Sequence, residues 1–197
     1  MHLAFDIFQG IGIAAAVGIR PFLPGLAVGA LAAGNVEIHF DHTSYAFLQE
    51  APFLLVMLVG AVLLVVLERG VWAERLRSGP LAVALILVSL AIGALMFAGC
   101  LARGGYAVWP GYVGGVICAA IGIAASRPFL ARVRERLDAA DATIGLPVLA
   151  DGSALLIAVL SVVAPPVGPI ALLWLLWLLW RSRGREEQKY AGLRILR

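Results

Sequence analysis

Charge is scarce in this sequence. Aspartate, glutamate, lysine and arginine make up 14% of its 197 residues, against about 25% in an ordinary soluble domain. Cysteine is nearly absent: Cys100 and Cys118 both fall inside apolar runs, which excludes a disulfide framework and leaves each as a small buried hydrophobe. Strict alternation of polar and apolar residues is missing, and with it the ~10-residue dyad strands of an outer-membrane barrel. No Gly-x-x-x-x-Gly-Lys-Ser/Thr, His-Glu-x-x-His, Gly-x-Ser-x-Gly or Cys-x-x-Cys occurs. The usual marks of catalysis are therefore lacking, and the chain reads as a non-enzyme with no cofactor. Residues 1–19 contain no Lys or Arg, and Asp6 stands where a leader would carry positive charge. That first stretch is expected to stay as a span rather than be removed as a signal peptide.

What fills the sequence instead is apolar: 62% hydrophobic residues and a mean hydropathy of +0.97. Four stretches carry no charged side chain, namely Ala51–Leu67, Pro80–Ala102, Gly104–Ser126 and Gly152–Trp180. A ~30 Å hydrocarbon core needs roughly 17–25 apolar residues in a helix, so these read as membrane spans. A first segment, Leu3–Ala33, is interrupted by Arg20-Pro21, and the last run is interrupted by Pro165-Pro166-Val167-Gly168-Pro169. Successive prolines remove backbone donors, so a helix must break or turn there. This divides the last run into Ser153–Ala164 and Ile170–Trp180, expected as short helices meeting at a buried bend.

The net charge of +3 points to lipid and topology rather than nucleic acid, because nearly all cations lie between apolar runs. Thirteen of the fifteen basic residues belong to the 69–79 loop, the 127–150 stretch and the tail, leaving Arg20 and Arg103 for the other side. The positive-inside rule then predicts six segments in a bacterial inner membrane, with both termini cytoplasmic. Arg132–Asp141 is a short amphipathic pattern suited to anionic lipid at the inner leaflet. Trp72 and Trp109, with the ridge Trp174, Trp177 and Trp180, fit an interfacial or lipid-facing belt.

Ile11-Gly12-Ile13-Ala14-Ala15 recurs as Ile121-Gly122-Ile123-Ala124-Ala125, and Arg20-Pro21-Phe22-Leu23 recurs as Arg127-Pro128-Phe129-Leu130. Three segments separate the copies, which predicts opposite directions. The expected fold is all-α: a polytopic transmembrane bundle of about six segments in a 3+3 inverted-topology repeat with broken helices. Its parts are residues 1–102, residues 103–181 and a basic cytoplasmic tail, 182–197.

Candidate site residues follow from that frame. Proline frees backbone groups and arginine brings five donors to the same place. Arg20, Pro21, Arg127, Pro165 and Pro166 are therefore the residues expected to bind an anionic solute or lipid headgroup where the repeats meet. The plainer alternative is that Arg20 and Arg127 snorkel to headgroups. Glu37, His39 and Asp41 alternate in the outer loop with a zinc-type donor set, but no second ligand cluster exists, so the loop reads as polar structure and no metal is assigned. Glu68 beside Arg69 reads as an ion pair or a solvated end. Gly25-x-x-x-Gly29 and Gly111-x-x-x-Gly115 offer small faces for helix packing within the chain or in a homo-oligomer.

Gly10-Ile-Gly-Ile-Ala-Ala-Ala-Val-Gly-Ile-Arg-Pro-Phe-Leu-Pro24, the outer loop into Ala51–Glu68, the Arg127-Pro128 copy and the closing Lys189–Arg197 together resemble a group of small bacterial membrane proteins catalogued as domain of unknown function number 4126. The resemblance spans most of the chain. It implies an integral membrane protein of about this length and brings no reaction and no residue roles. Family members often carry an alcohol or amide side chain where Arg20 stands, so the arginine is not implied as a shared working part. Two functions compete: a small transporter or channel, which needs a hydrated polar cavity at the repeat interface, and a non-catalytic membrane subunit or assembly protein, which needs none.

Overall fold

Residues 2–69, 76, 79–134 and 139–193 are described by a computed structural model. Trp72, Arg75, Arg77, Arg136, Arg194 and Arg197 lie outside the described residues, as does part of the amphipathic 132–141 segment. Seven α-helices run through the described chain: α1 (His2–Ile19), α2 (Phe22–Ala33), α3 (Ala51–Arg69), α4 (Pro80–Arg103), α5 (Trp109–Arg134), α6 (Ala139–Val163) and α7 (Val167–Leu193). A single 3-10 turn, Ala46–Gln49, interrupts the loop before α3. The described residues contain no strand.

The charge-free runs became helices because hydrocarbon-length apolar segments must satisfy their backbone groups internally. Four segments are long and apolar enough to cross a membrane: Ala51–Glu68, Pro80–Arg103, Trp109–Arg134 and Gly145–Val163. Leu3–Ile19, Phe22–Ala33 and Val167–Ser182 are apolar but shorter. The outward faces are greasy. α3 exposes Leu55, Val56, Val59, Val62 and Val66, and α7 exposes Leu173, Trp174, Trp177 and Trp180. The Arg181 guanidinium lies 5.2 Å from the Trp177 ring centre, the pairing expected of an interfacial aromatic and its cation.

Helix α1 is the centre. From Gly10 to Ile19 it is apolar or small on every side, and Ile13, Ala14, Ala15, Ala16 and Val17 are fully buried. Its glycines set the distances. Gly18 rests on the Ala119 backbone, Gly122 rests on Ala15 and Gly18, and Gly12 rests on Ser161 and Gly168. Small residues on both partners let the backbones meet directly. Gly111 and Gly115 are used in the same way against Ala98, Gly93 and Ala94, and Gly29 against the Leu48 carbonyl. The small-residue faces read from the sequence are thus occupied within the chain. The core joins residues from both sides of position 102, among them Ile13, Ile92, Ile157 and Val162.

These contacts also give the helix directions. Along α1, Gly10 faces Phe97 while Ala14 faces Gly93, so α4 is antiparallel to it. Gly114 shares the Phe97 ring with Gly10, and Gly122 reaches Ala15 and Gly18, so α5 is parallel to α1. Gln9 meets Val162 and Arg20 meets Pro147, which makes α6 antiparallel. Each helix reverses on its predecessor, giving one pole at Asp6 and Arg103 and another at Arg20 and Glu68.

Four expectations change. The first segment is two helices folded back at Arg20-Pro21, so seven helices replace six segments. The two repeat copies, on α1 and α5, run parallel and pack side by side, which overturns the inverted arrangement. The first helix begins at one pole and the last runs towards the other, so the described ends of the chain lie at opposite poles. Finally, the last run is not a pair of short helices: α6 and α7 are 25 and 27 residues long and meet at a turn over 164–166.

Candidate functional site

The α1–α2 break builds the most polar place in the apolar bundle. Arg20 donates its backbone N–H to Ala16 at 3.1 Å as the last helical bond of α1. Pro21 then has no N–H to continue the ladder, and α2 restarts at Phe22. The Arg20 side chain is nine-tenths buried and points to α3 and α6. Its Nη1 and Nη2 donate to the two oxygens of Glu68, at the end of α3, over 2.5 and 3.0 Å. This is the two-pronged guanidinium–carboxylate fork, the strongest ion-pair geometry available to a side chain. Nε lies 2.9 Å from Oδ1 of Asp151, on α6. Its N–H is aimed off that oxygen and makes no hydrogen bond, so this second contact is ionic rather than directional. A longer bond, 3.5 Å, runs from Nη2 to the Pro147 carbonyl one turn before Asp151.

One cation thus faces two anions. The side chains of Glu68 and Asp151 are 23% and 22% exposed, so the cluster opens towards its pole. Its formal charge is negative by one, because the guanidinium cannot be shared into neutrality by two carboxylates.

At the opposite pole the buried pair is balanced. Arg103 Nη2 meets Asp6 Oδ1 at 2.6 Å, and Nη1 donates to the Glu37 carbonyl at 2.9 Å. Over this pair the 34–50 loop turns Ile38, Phe40 and Leu48 inward, each fully buried, and leaves Glu37, His39 and Asp41 outside. Gln49 holds the loop by accepting from the Phe40 N–H at 2.8 Å and donating to Asp41 at 2.5 Å. Tyr45 and Tyr112 join hydroxyls at 2.5 Å. Burial, then the Tyr112 hydrogen bond and charge, push the Tyr45 phenol up from 10.0 to about 12. Among the described residues no three His, Cys, Asp or Glu side chains are grouped to hold a metal. Below the loop, Gln9 is 3% exposed and donates to the Val162 carbonyl at 2.9 Å, while its Oε1 has no partner.

Only part of the expected site is assembled. Arg20 and Pro21 are at the break. Arg127 is exposed and has no ion pair among the described residues. Pro165 and Pro166 form the α6–α7 turn at the Asp6 pole, since Val162 meets Gln9 and Gly168 meets Phe8. Gln9 and Arg20 are eleven residues apart on α1, roughly 16 Å along its axis, so the proline bend and Arg20 do not share a site. Arg20 also lies at the pole of Glu68, not on the side of Arg103 to which its charge had been assigned. Glu68 does form an ion pair, with Arg20. Sequence reasoning passed over Asp151, although an acid between Leu146–Ala150 and the uncharged run from Gly152 was the signal available.

No curated protein and no solved structure matches the chain. Residues 7–185 match a family model whose description assigns no activity. With nearly its whole length covered, the chain belongs to that family, Domain of unknown function (DUF4126).

Proposed function

We propose that this protein is a small integral membrane transporter or channel whose working site is the Arg20–Glu68–Asp151 cluster, and that what it moves is positively charged. The observation that carries this reading is the charge of the cluster: a guanidinium held by two carboxylates, gathered from a helix break and two further helices of an apolar bundle. Ionisable groups in such a place are costly and mark solute or ion paths. The anionic solute expected from Arg20 alone is disfavoured, because its donors are already turned to carboxylates. The reading involves no catalysis and no resident cofactor. The Arg20 pole is taken to face the cytoplasm, since every basic residue except Arg103 belongs to a segment at that pole or to a connection between helix ends there. Its basic segments would lie on anionic lipid.

A second reading, a non-catalytic membrane subunit or assembly protein, is favoured by the repeat interface, where Gly18 and Gly122 bring α1 and α5 into backbone contact and leave no room for water. Purified protein in liposomes separates the two. Cation or proton flux above that of empty vesicles, lost in Glu68→Gln, is the expected result. Vesicles no leakier than empty ones would sink the transport reading and turn the search to co-purifying partners.

A further inference from the structure

We propose that Asp151 is a proton-binding carboxyl, and that its protonation switches the ionic tie between α6 and the α1–α2 break. The proposal deepens the transport reading, on which its physiological use rests, but its chemistry stands on geometry alone. Glu68 takes both prongs of the guanidinium at 2.5 and 3.0 Å, so of the two acids it is the compensated one. Asp151 receives only Nε, at 2.9 Å and off the hydrogen-bonding direction. Among the described residues, Arg20 from the α1–α2 link and Glu68 from α3 are the charged groups that face it. An excess negative charge in a poorly hydrated site is relieved by taking up a positive one. A metal cation would need several oxygens around it, and the nearby Pro147 carbonyl is turned towards Arg20 Nη2. A proton needs only the Asp151 oxygen, which the 22% exposure of that side chain leaves open to the pole.

The mechanical consequence follows from which bonds survive. With a proton on Asp151 the cluster is neutral and Nε loses its ionic partner, while the Arg20–Glu68 fork remains. The α1–α2 break then stays joined to α3, while its ionic tie to α6 is lost and only the longer bond to the Pro147 carbonyl remains between Arg20 and that helix. Loss of the proton restores the ionic tie. One protonation thus biases a two-state contact between helices, as pH-sensitive switches do.

The test is an infrared difference titration of the full protein in lipid vesicles, moving from alkaline to acidic buffer. A protonated-carboxyl band is expected that Asp151→Asn removes and Asp151→Glu restores at a shifted position. Glu68→Gln, which leaves one carboxylate to one guanidinium, should move the band towards more acidic buffer. A titration unchanged by Asp151→Asn and Asp151→Glu would overturn the proposal, whether or not the vesicles show flux. The band without flux keeps the proton site and discards transport. Flux without the band keeps transport and discards the proton site. Because Asp151→Glu retains the acid, failure of the asparagine variant to fold would not leave the question open.

Discussion

Arg20-Pro21-Phe22-Leu23 and Arg127-Pro128-Phe129-Leu130 lie near the same pole, on parallel helices that touch through the Ile-Gly-Ile-Ala-Ala segments preceding them. In the first copy the helix ends, and the arginine is buried against two carboxylates. In the second, α5 continues through Pro128 to Arg134, Arg127 is exposed, and Arg132 Nε donates to the Pro128 carbonyl at 2.9 Å. A proline inside a helix costs one hydrogen bond and a ring clash, which a helix can absorb with a bend. What makes the break worthwhile at Arg20 is supplied from elsewhere, by Glu68 on α3 and Asp151 on α6. The tetrapeptide permits a break and distant acids decide it.

Breaking the first copy should have the largest effect. Arg20→Ala leaves Glu68 and Asp151 facing each other without a counter-charge, a loss of about 3 kcal/mol in denaturant unfolding in micelles. Arg127→Ala should stay within about 0.5 kcal/mol. Equal losses for the two variants would dissolve the contrast.

The contact between the two copies can be tested next. An added methyl at Gly122 runs into the Ala15 carbonyl and the Gly18 backbone, so Gly122→Ala is expected to cost about 1–3 kcal/mol by the same unfolding measurement. Gly152 faces open space, and Gly152→Ala should be neutral or stabilising by up to about 1 kcal/mol.

The prolines sharpen the comparison further. Pro128→Ala restores a donor to a helix that is already continuous and should raise stability by about 1 kcal/mol. Pro21→Ala should not fuse α1 with α2, because the cluster holds the turn. Spin labels at Leu3 and Ala33 are expected to stay close, whereas one continuous helix would part them by roughly 45 Å.

The smallest effect belongs to the opposite pole, where the pairing is neutral. One of the four tyrosines should ionise late, near pH 12, in an ultraviolet titration, and Tyr112→Phe should bring it earlier. The unfolded phenol titrates at 10.0, so the contribution of this pair to stability is full below that pH. It is lost as pH rises from 10.0 to about 12, because the unfolded state releases its proton first.

Much of the fold was legible in the residues. Ala51–Leu67 and Pro80–Ala102 reappear as α3 and α4 almost residue for residue, because a run without charge must be helical in hydrocarbon. The break at Pro165-Pro166 was legible for the same reason as any proline pair. The site was half legible. Arg20 stood out as a lone cation between apolar runs, and Glu68 as an acid at the end of one. That they meet, 48 positions apart, is not written in any local pattern. Nor is the shared direction of the two repeats: counting Leu3–Ala33 as one crossing inverted every later helix relative to the first.

Composition and the spacing of charge by themselves made this chain helical, set the length of α3 and α4, and gathered its cations into a few connections, since solvation of charge and of backbone depends on nothing more distant than the next turn. The tertiary structure alone decided that Arg20-Pro21 is a hinge and Arg127-Pro128 a stretch of helix. It also put α1 at the centre and left one guanidinium between two acids. Those outcomes depend on which helices pack together. That choice is made by the shapes of glycine and alanine faces and by charges far apart in sequence.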